Sequence, residues 1–148
     1  MKPIQSIDAA ALRWLARREY TVVELSVRLV RGGFSAEDIK SVLLRLMESG
    51  YQDDQRVGAA WARHWVSRGW GPVRIVAQLL QKGLCKADAS GVVEALAVDW
   101  YALAQRVSAK KKGTPMQIAR FLLGRGFTAE QIKRIHIKQV VIHEADEC

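Results

Sequence analysis

Three segments of the chain align with one another without gaps, and that internal repeat restricts the fold more than any other feature. They begin at Thr21-Val22-Val23-Glu24-Leu25, Gly71-Pro72-Val73-Arg74-Ile75 and Thr114-Pro115-Met116-Gln117-Ile118. Each opens on an N-cap residue. Two continue with proline at the first helical position, where the missing N–H costs nothing. In the first, Glu24 is placed to complete a capping box with Thr21. Apolar residues follow at helical spacing: Leu25 and Leu29, Ile75 and Leu79, Ile118 and Leu122. Gly33, Gly83 and Gly126 end the helices as left-handed stops. Phe34, Leu84 and Phe127 come next. Ser35 and Thr128 then cap a further helix, with Cys85 as a poorer cap in the middle repeat. Ile39, Ala89 and Ile132 take the same inward position of that helix.

A helix also precedes each segment. The first runs from about Asp8 to Arg18 with Leu12 and Leu15 inward. The second runs from Asp53 or Asp54 to about Arg68, stopped by Gly69, and carries Val57, Trp61, Trp65 and Val66. The third starts near Asp99 and carries Trp100, Leu103 and Val107. The pattern predicts an all-α fold of three tandem three-helix repeats, at residues 1–50, 51–98 and 99–138, with a tail at 139–148. One such trio has a thin core, so neighbours stack into an elongated, gently curved array. No strand alternation interrupts the pattern. Lys110-Lys111-Lys112-Gly113 reads as an exposed loop, and the tail as a frayed end or a non-helical cap.

Composition narrows the function classes. Of 148 residues, 23 are basic and 15 acidic, a net charge of +8 that favours a polyanionic or acidic partner. No apolar run is long enough to span a membrane. No charged start leads into an apolar signal core, and Cys85 and Cys148 form no disulfide framework, so a reducing cytoplasm is the expected compartment. No heptad seam runs over several turns, which predicts a monomer.

The chemistry of enzymes is largely missing. There is no phosphate-binding glycine loop; Gly69-Trp70-Gly71 reads as a helix stop followed by a helix start. His64, His136, His143 and the two cysteines lack metal-ligand spacing, although His136 and His143 would share a face if the tail were helical. Asp53-Asp54 is the only adjacent carboxylate pair, and its place at a helix start makes it a cap rather than an acid–base pair. Neither a cofactor nor a catalytic set is expected. Trp14, Trp61, Trp65, Trp70 and Trp100 could stack on bases, but core or inter-repeat packing is the favoured reading, with Trp70, in a turn, the most exposed.

Basic residues are the remaining signal. Arg28 and Arg31, Arg74 and Lys82, and Arg120 and Arg125 lie on the second helix of each repeat. Arg63 and Arg68 precede Arg74, and Lys110, Lys111 and Lys112 precede the third of these helices. If the repeats stack in register, these charges form one strip suited to a periodic anionic partner; an ordinary solvated face is the alternative.

Several of these stretches resemble motifs of the RecX regulatory family. They are Gly50-Tyr51-Gln52-Asp53-Asp54-Gln55-Arg56, Gly71-Pro72-Val73-Arg74-Ile75, Leu79-Leu80-Gln81-Lys82-Gly83-Leu84 and Arg120-Phe121-Leu122-Leu123-Gly124-Arg125-Gly126-Phe127. Asp99-Trp100 and Ala104 also fit, and the match runs in order from Leu12 to Ile135. Val57 departs from it, standing where the family often has an aromatic residue. The resemblance implies a non-enzymatic regulator that binds the RecA–DNA filament, with its single-stranded DNA, and hinders ATP hydrolysis, extension and strand exchange. It supplies no catalytic residues. Arg63, Arg68, Arg74, Lys82, Lys110, Lys111, Lys112, Arg120 and Arg125 are candidate filament contacts from charge and repeat position alone. The competing reading is a sequence-tolerant helical DNA-binding protein, with Lys133, Arg134 and Lys138 near a groove.

Overall fold

The computed structural model describes residues 6–135. The tail, Lys138 and the His136–His143 pair lie outside them. Eight helices run in order: α1 (Ile7–Arg17), α2 (Val22–Arg31), α3 (Ala36–Glu48), α4 (Asp54–Ser67), α5 (Pro72–Gln81), α6 (Lys86–Ala95), α7 (Trp100–Ala109) and α8 (Pro115–Arg125). A ninth helical segment, α9, covers residues 129–135, and no strand occurs among the described residues.

Local chemistry sets these boundaries. The Thr21 hydroxyl accepts from the Glu24 N–H while the Glu24 carboxylate accepts from the Thr21 N–H, the reciprocal box that fixes the start of α2. Thr114 with Gln117 and Thr128 with Gln131 repeat it at α8 and α9. Pro72 and Pro115 occupy first turns. Cys85 caps α6 with a weak acceptor, its sulfur 3.4 Å from the Asp88 nitrogen. Gly33, Gly83 and Gly126 all have positive φ, as left-handed stops require.

Each trio closes its own core. Leu25, Leu29, Ile39, Val42 and Leu46 are buried in the first; Ile75, Leu79, Leu84, Ala89 and Val92 in the second; Leu103, Ala104, Leu122, Phe127 and Ile132 in the third. The α1 expectation needs correction. Leu12 faces solvent, and the inward stripe is Ile7, Ala11, Trp14 and Leu15. Alanine suits that contact because it lets α1 approach its neighbours closely.

The joints between trios account for several of the quoted motifs in physical terms. At the first joint, the buried Gln52 amide donates to the Tyr20 carbonyl and to Asp54. Arg56 pairs with Glu19 at 3.0 Å. Asp53 caps α4, as the sequence suggests. Asp54 does not; it accepts instead from the Val22 N–H, the first amide of α2, at 3.0 Å. The carboxylate pair thus caps two helices in different trios.

The second joint is made largely of main chain. Gly71 N–H donates to the Arg125 carbonyl at 2.7 Å, and Val73 N–H to the Gly126 carbonyl at 2.9 Å. A Cβ on Gly71 would come within 2.5 Å of the Gly126 carbonyl oxygen, so only glycine fits there. Val66 and Trp100 pack against the second and third cores together.

Candidate cationic groove

The C-terminal ends of α4 and α7 and the flank of α8 enclose a groove of about 480 Å³. Its floor is apolar, from Val66, Leu103, Val107 and Phe121. Its rim is cationic, from Arg68, Arg106, Lys110, Lys111 and Arg125, and no carboxylate among the described residues lines it. A more open depression walled by Arg68, Trp70, Arg74 and Arg125 continues it, with Arg68 and Arg125 common to both.

Helix ends bring these charges together. Arg68 is the C-cap of α4, Lys110 the C-cap of α7, and Arg125 the last residue of α8. Cations collect there because the last carbonyls of a helix carry partial negative charge. Arg125 donates to the Arg68 carbonyl at 3.1 Å, tying the end of α8 to the end of α4. Two cations lie near the Phe121 ring, Lys111 Nζ 4.9 Å and the Arg125 guanidinium 5.1 Å from its centroid. The three ion pairs among the described residues, Arg18–Glu24, Arg45–Asp8 and Arg56–Glu19, all belong to the first trio and its joint. The groove cations therefore face solvent without an acidic partner among the described residues.

Beside the groove runs a ladder of aromatic rings. Trp61 and Trp65 lie 6.4 Å apart, and Trp65 stacks on Trp70 at 5.4 Å and 9°. Arg74 caps one end, 3.8 Å above Trp70, and Lys82 the other, 5.3 Å from Trp61. Trp70 is thus half-buried between a ring and a guanidinium, where the sequence suggested an exposed turn residue. The Arg74 guanidinium rests on the Trp70 face in the wall of the open depression, a cation–π contact.

Of the nine cations singled out from the sequence, Arg68, Arg74, Lys110, Lys111 and Arg125 come together. Arg63, Lys82, Lys112 and Arg120 are exposed but do not line the groove. Arg106 was missed. It lies one turn before Lys110 on α7, a spacing that puts both on one helix face and could have revealed it. With no cluster of metal-ligating side chains among the described residues, the groove offers anion binding over an apolar floor. No helix there is long and apolar enough to cross a membrane.

Comparison with known proteins gives a consistent picture. The first three-helix domain model of RecX matches residues 9–46 and the second matches residues 53–92. Regulatory protein RecX of Halorhodospira halophila is 38% identical over 137 residues, covering 87% of this chain and 85% of that protein. Regulatory protein RecX of Acidithiobacillus ferrooxidans is 40% identical over 136 residues, covering 86% of each. The crystal structure of RecX from Lactobacillus salivarius superposes with a TM-score of 0.82 at 19% identity, over 91% of this chain and 95% of that one. A second crystal structure of a regulatory protein RecX gives 0.75 at 18%, over 88% and 70%.

Proposed function

Because the chain belongs to the RecX family of regulatory proteins, we propose that it binds the RecA–DNA filament through the cationic groove and restrains ATP hydrolysis, extension and strand exchange. The observation that carries this reading is the cation set over an apolar floor, Arg68, Arg106, Lys110, Lys111 and Arg125, with no acidic partner among the described residues. A nucleoprotein filament presents phosphates and acidic protein groups at regular intervals, and such a set gains from many weak contacts. The protein acts as a cytoplasmic, monomeric binding partner with no chemistry or cofactor of its own, and its effect on ATP turnover is exerted on RecA's own site. The working repeats are residues 1–50, 51–98 and 99–138. Arg63, Lys82, Lys112 and Arg120 serve as outlying contacts.

The test replaces Arg68, Arg106 and Lys111 together by Glu and measures inhibition of RecA ATPase at fixed single-stranded DNA. Arg13, Arg17 and Lys40, all exposed on the first trio, are replaced likewise as the charge-matched control. An exposed ionic contact is worth about 0–1 kcal/mol, so three at mid-range should cost the groove triple about tenfold in potency while the control keeps most of it. Equal losses would reduce the effect to net charge. A direct DNA-binding assay without RecA runs beside it. Tight binding there that accounts for all the inhibition would favour a sequence-tolerant DNA-binding protein instead, since a cationic groove with an aromatic ring, Phe121, in its floor also suits single strands.

A further inference from the structure

The second helices of the three trios, α2, α5 and α8, are joined end to start. The end of α8 meets the start of α5 through the Gly126–Val73 and Arg125–Gly71 main-chain bonds. The end of α5 lies against the start of α2 by side-chain approach rather than main-chain bonds, a Cβ built on Gly83 falling 2.9 Å from that of Val23. The three helices, each about 15 Å long, therefore make one continuous rail.

Along this rail the exposed apolar residues repeat. In the gap-free alignment Val23, Val73 and Met116 are equivalent, and so are Val30, Leu80 and Leu123. All six are between 43% and 65% exposed. Within each helix the two positions are seven residues apart, two turns on one face. Isolated apolar residues on a surface are ordinary. The same pair left uncovered at matching positions of three helices in a row is not explained by that. The cations are less regular: of Arg28, Arg31, Arg74, Lys82, Arg120 and Arg125, only Lys82 and Arg125 occupy equivalent positions.

Charge identifies the partner's chemistry. The three helices and their C-caps carry those six cations and one acid, Glu24, which is engaged by its capping box and by Arg18. So cationic a rail disfavours a second copy of itself. A run of phosphates would satisfy the charge but has nothing to fill the apolar pairs. We propose that the rail is a protein-docking surface, whose partner presents apolar depressions edged by carboxylates at a regular interval. This rests on the filament reading above and deepens it: the apolar pairs would seat on successive protein subunits, whereas the groove takes anionic groups.

The experiment uses the full chain and RecA filaments formed on poly(dT) with a non-hydrolysable ATP analogue. Co-sedimentation is compared for wild type, the single variants Val30→Ser, Leu80→Ser and Leu123→Ser, and the triple. Because these side chains are already half in water, helical circular dichroism should stay at the wild-type level. Each single variant should weaken binding several-fold and the triple by on the order of a hundredfold, with the losses multiplying. The loss should persist as salt rises, unlike that of the groove triple. A folded triple that binds like wild type overturns the rail and leaves the filament reading standing. A wild type that does not co-sediment overturns the filament reading, and the rail with it. If wild type binds anionic phosphatidylglycerol vesicles and the triple does not, the rail belongs to a lipid surface and the protein assignment fails.

Discussion

Glu24 serves two partners at the start of α2. One oxygen accepts from the Thr21 N–H and hydroxyl, and the other pairs with Arg18 at 3.0 Å. Burial pushes its carboxyl up, but the bonds from Thr21 and Arg18 outweigh that and hold it below its ordinary 4.5. A carboxylate lowered in this way stabilises the native state fully above its unfolded value. The contribution fades as pH falls through that value towards the folded one. Glu24→Gln keeps a capping amide, as Gln117 shows at α8, but removes the charge. The variant should be less stable than wild type at pH 7, and the gap should shrink below about pH 4.5, read as the difference in urea midpoints. A gap of constant size would show that the charge contributes nothing. The Thr21–Glu24 box could be read from the sequence because its partners are three residues apart. Asp54 could not, because its partner Val22 lies 32 residues away and only packing of the trios brings them together. Leu12 was misplaced for a related reason: small alanines beside it compete for the same face, and the helix turns Ala11 inward.

Helices were legible here because each begins and ends on its own chemistry, and the glycines of α8 separate into two kinds, one that stops the helix and one that lies within it. Gly126 has φ of +98°, and a Cβ there would lie 2.5 Å from the Arg74 nitrogen, against backbone rather than a flexible side chain. Gly124, two residues earlier, has nothing within 4 Å of such an atom and lies inside α8. Gly124→Ala should therefore stabilise by up to about 1 kcal/mol through helix propensity. Gly126→Ala should destabilise by more than about 1 kcal/mol and loosen α8 from α5. Thermal melts of the two variants should move in opposite directions; a shared direction would mean that the joint does not depend on the missing Cβ. The groove was harder to foresee than the helices. Its cations come from ends of helices far apart in the chain, so Arg106 and Arg68 become neighbours only after the second and third trios stack.

At the scale of the molecule, each trio has its own core and is joined to its neighbour through a few defined contacts, so stability is distributed unevenly along the chain. Leu79 is fully buried in the middle core. Leu79→Ala should cost about 2–5 kcal/mol. Native-state hydrogen exchange should then show faster opening of α4–α6 and of both flanking joints. Leu29→Ala, equally buried in the first core, should leave α7 and α8 as protected as in wild type. Uniform acceleration by both variants would mean one cooperative unit instead. The second joint carries a further consequence. Its shortest hydrogen bonds run between main-chain atoms of Gly71, Val73, Arg125 and Gly126, with the Arg125 guanidinium donating to the Arg68 carbonyl beside them, so its pitch asks little of the other outward-facing side chains. Outer side chains on α5 and α8 other than Arg125 can then be exchanged without resetting the angle between the trios. The protein behaves as a ruler with fixed gradations and erasable markings, on which a new binding pattern can be written while the spacing stays constant.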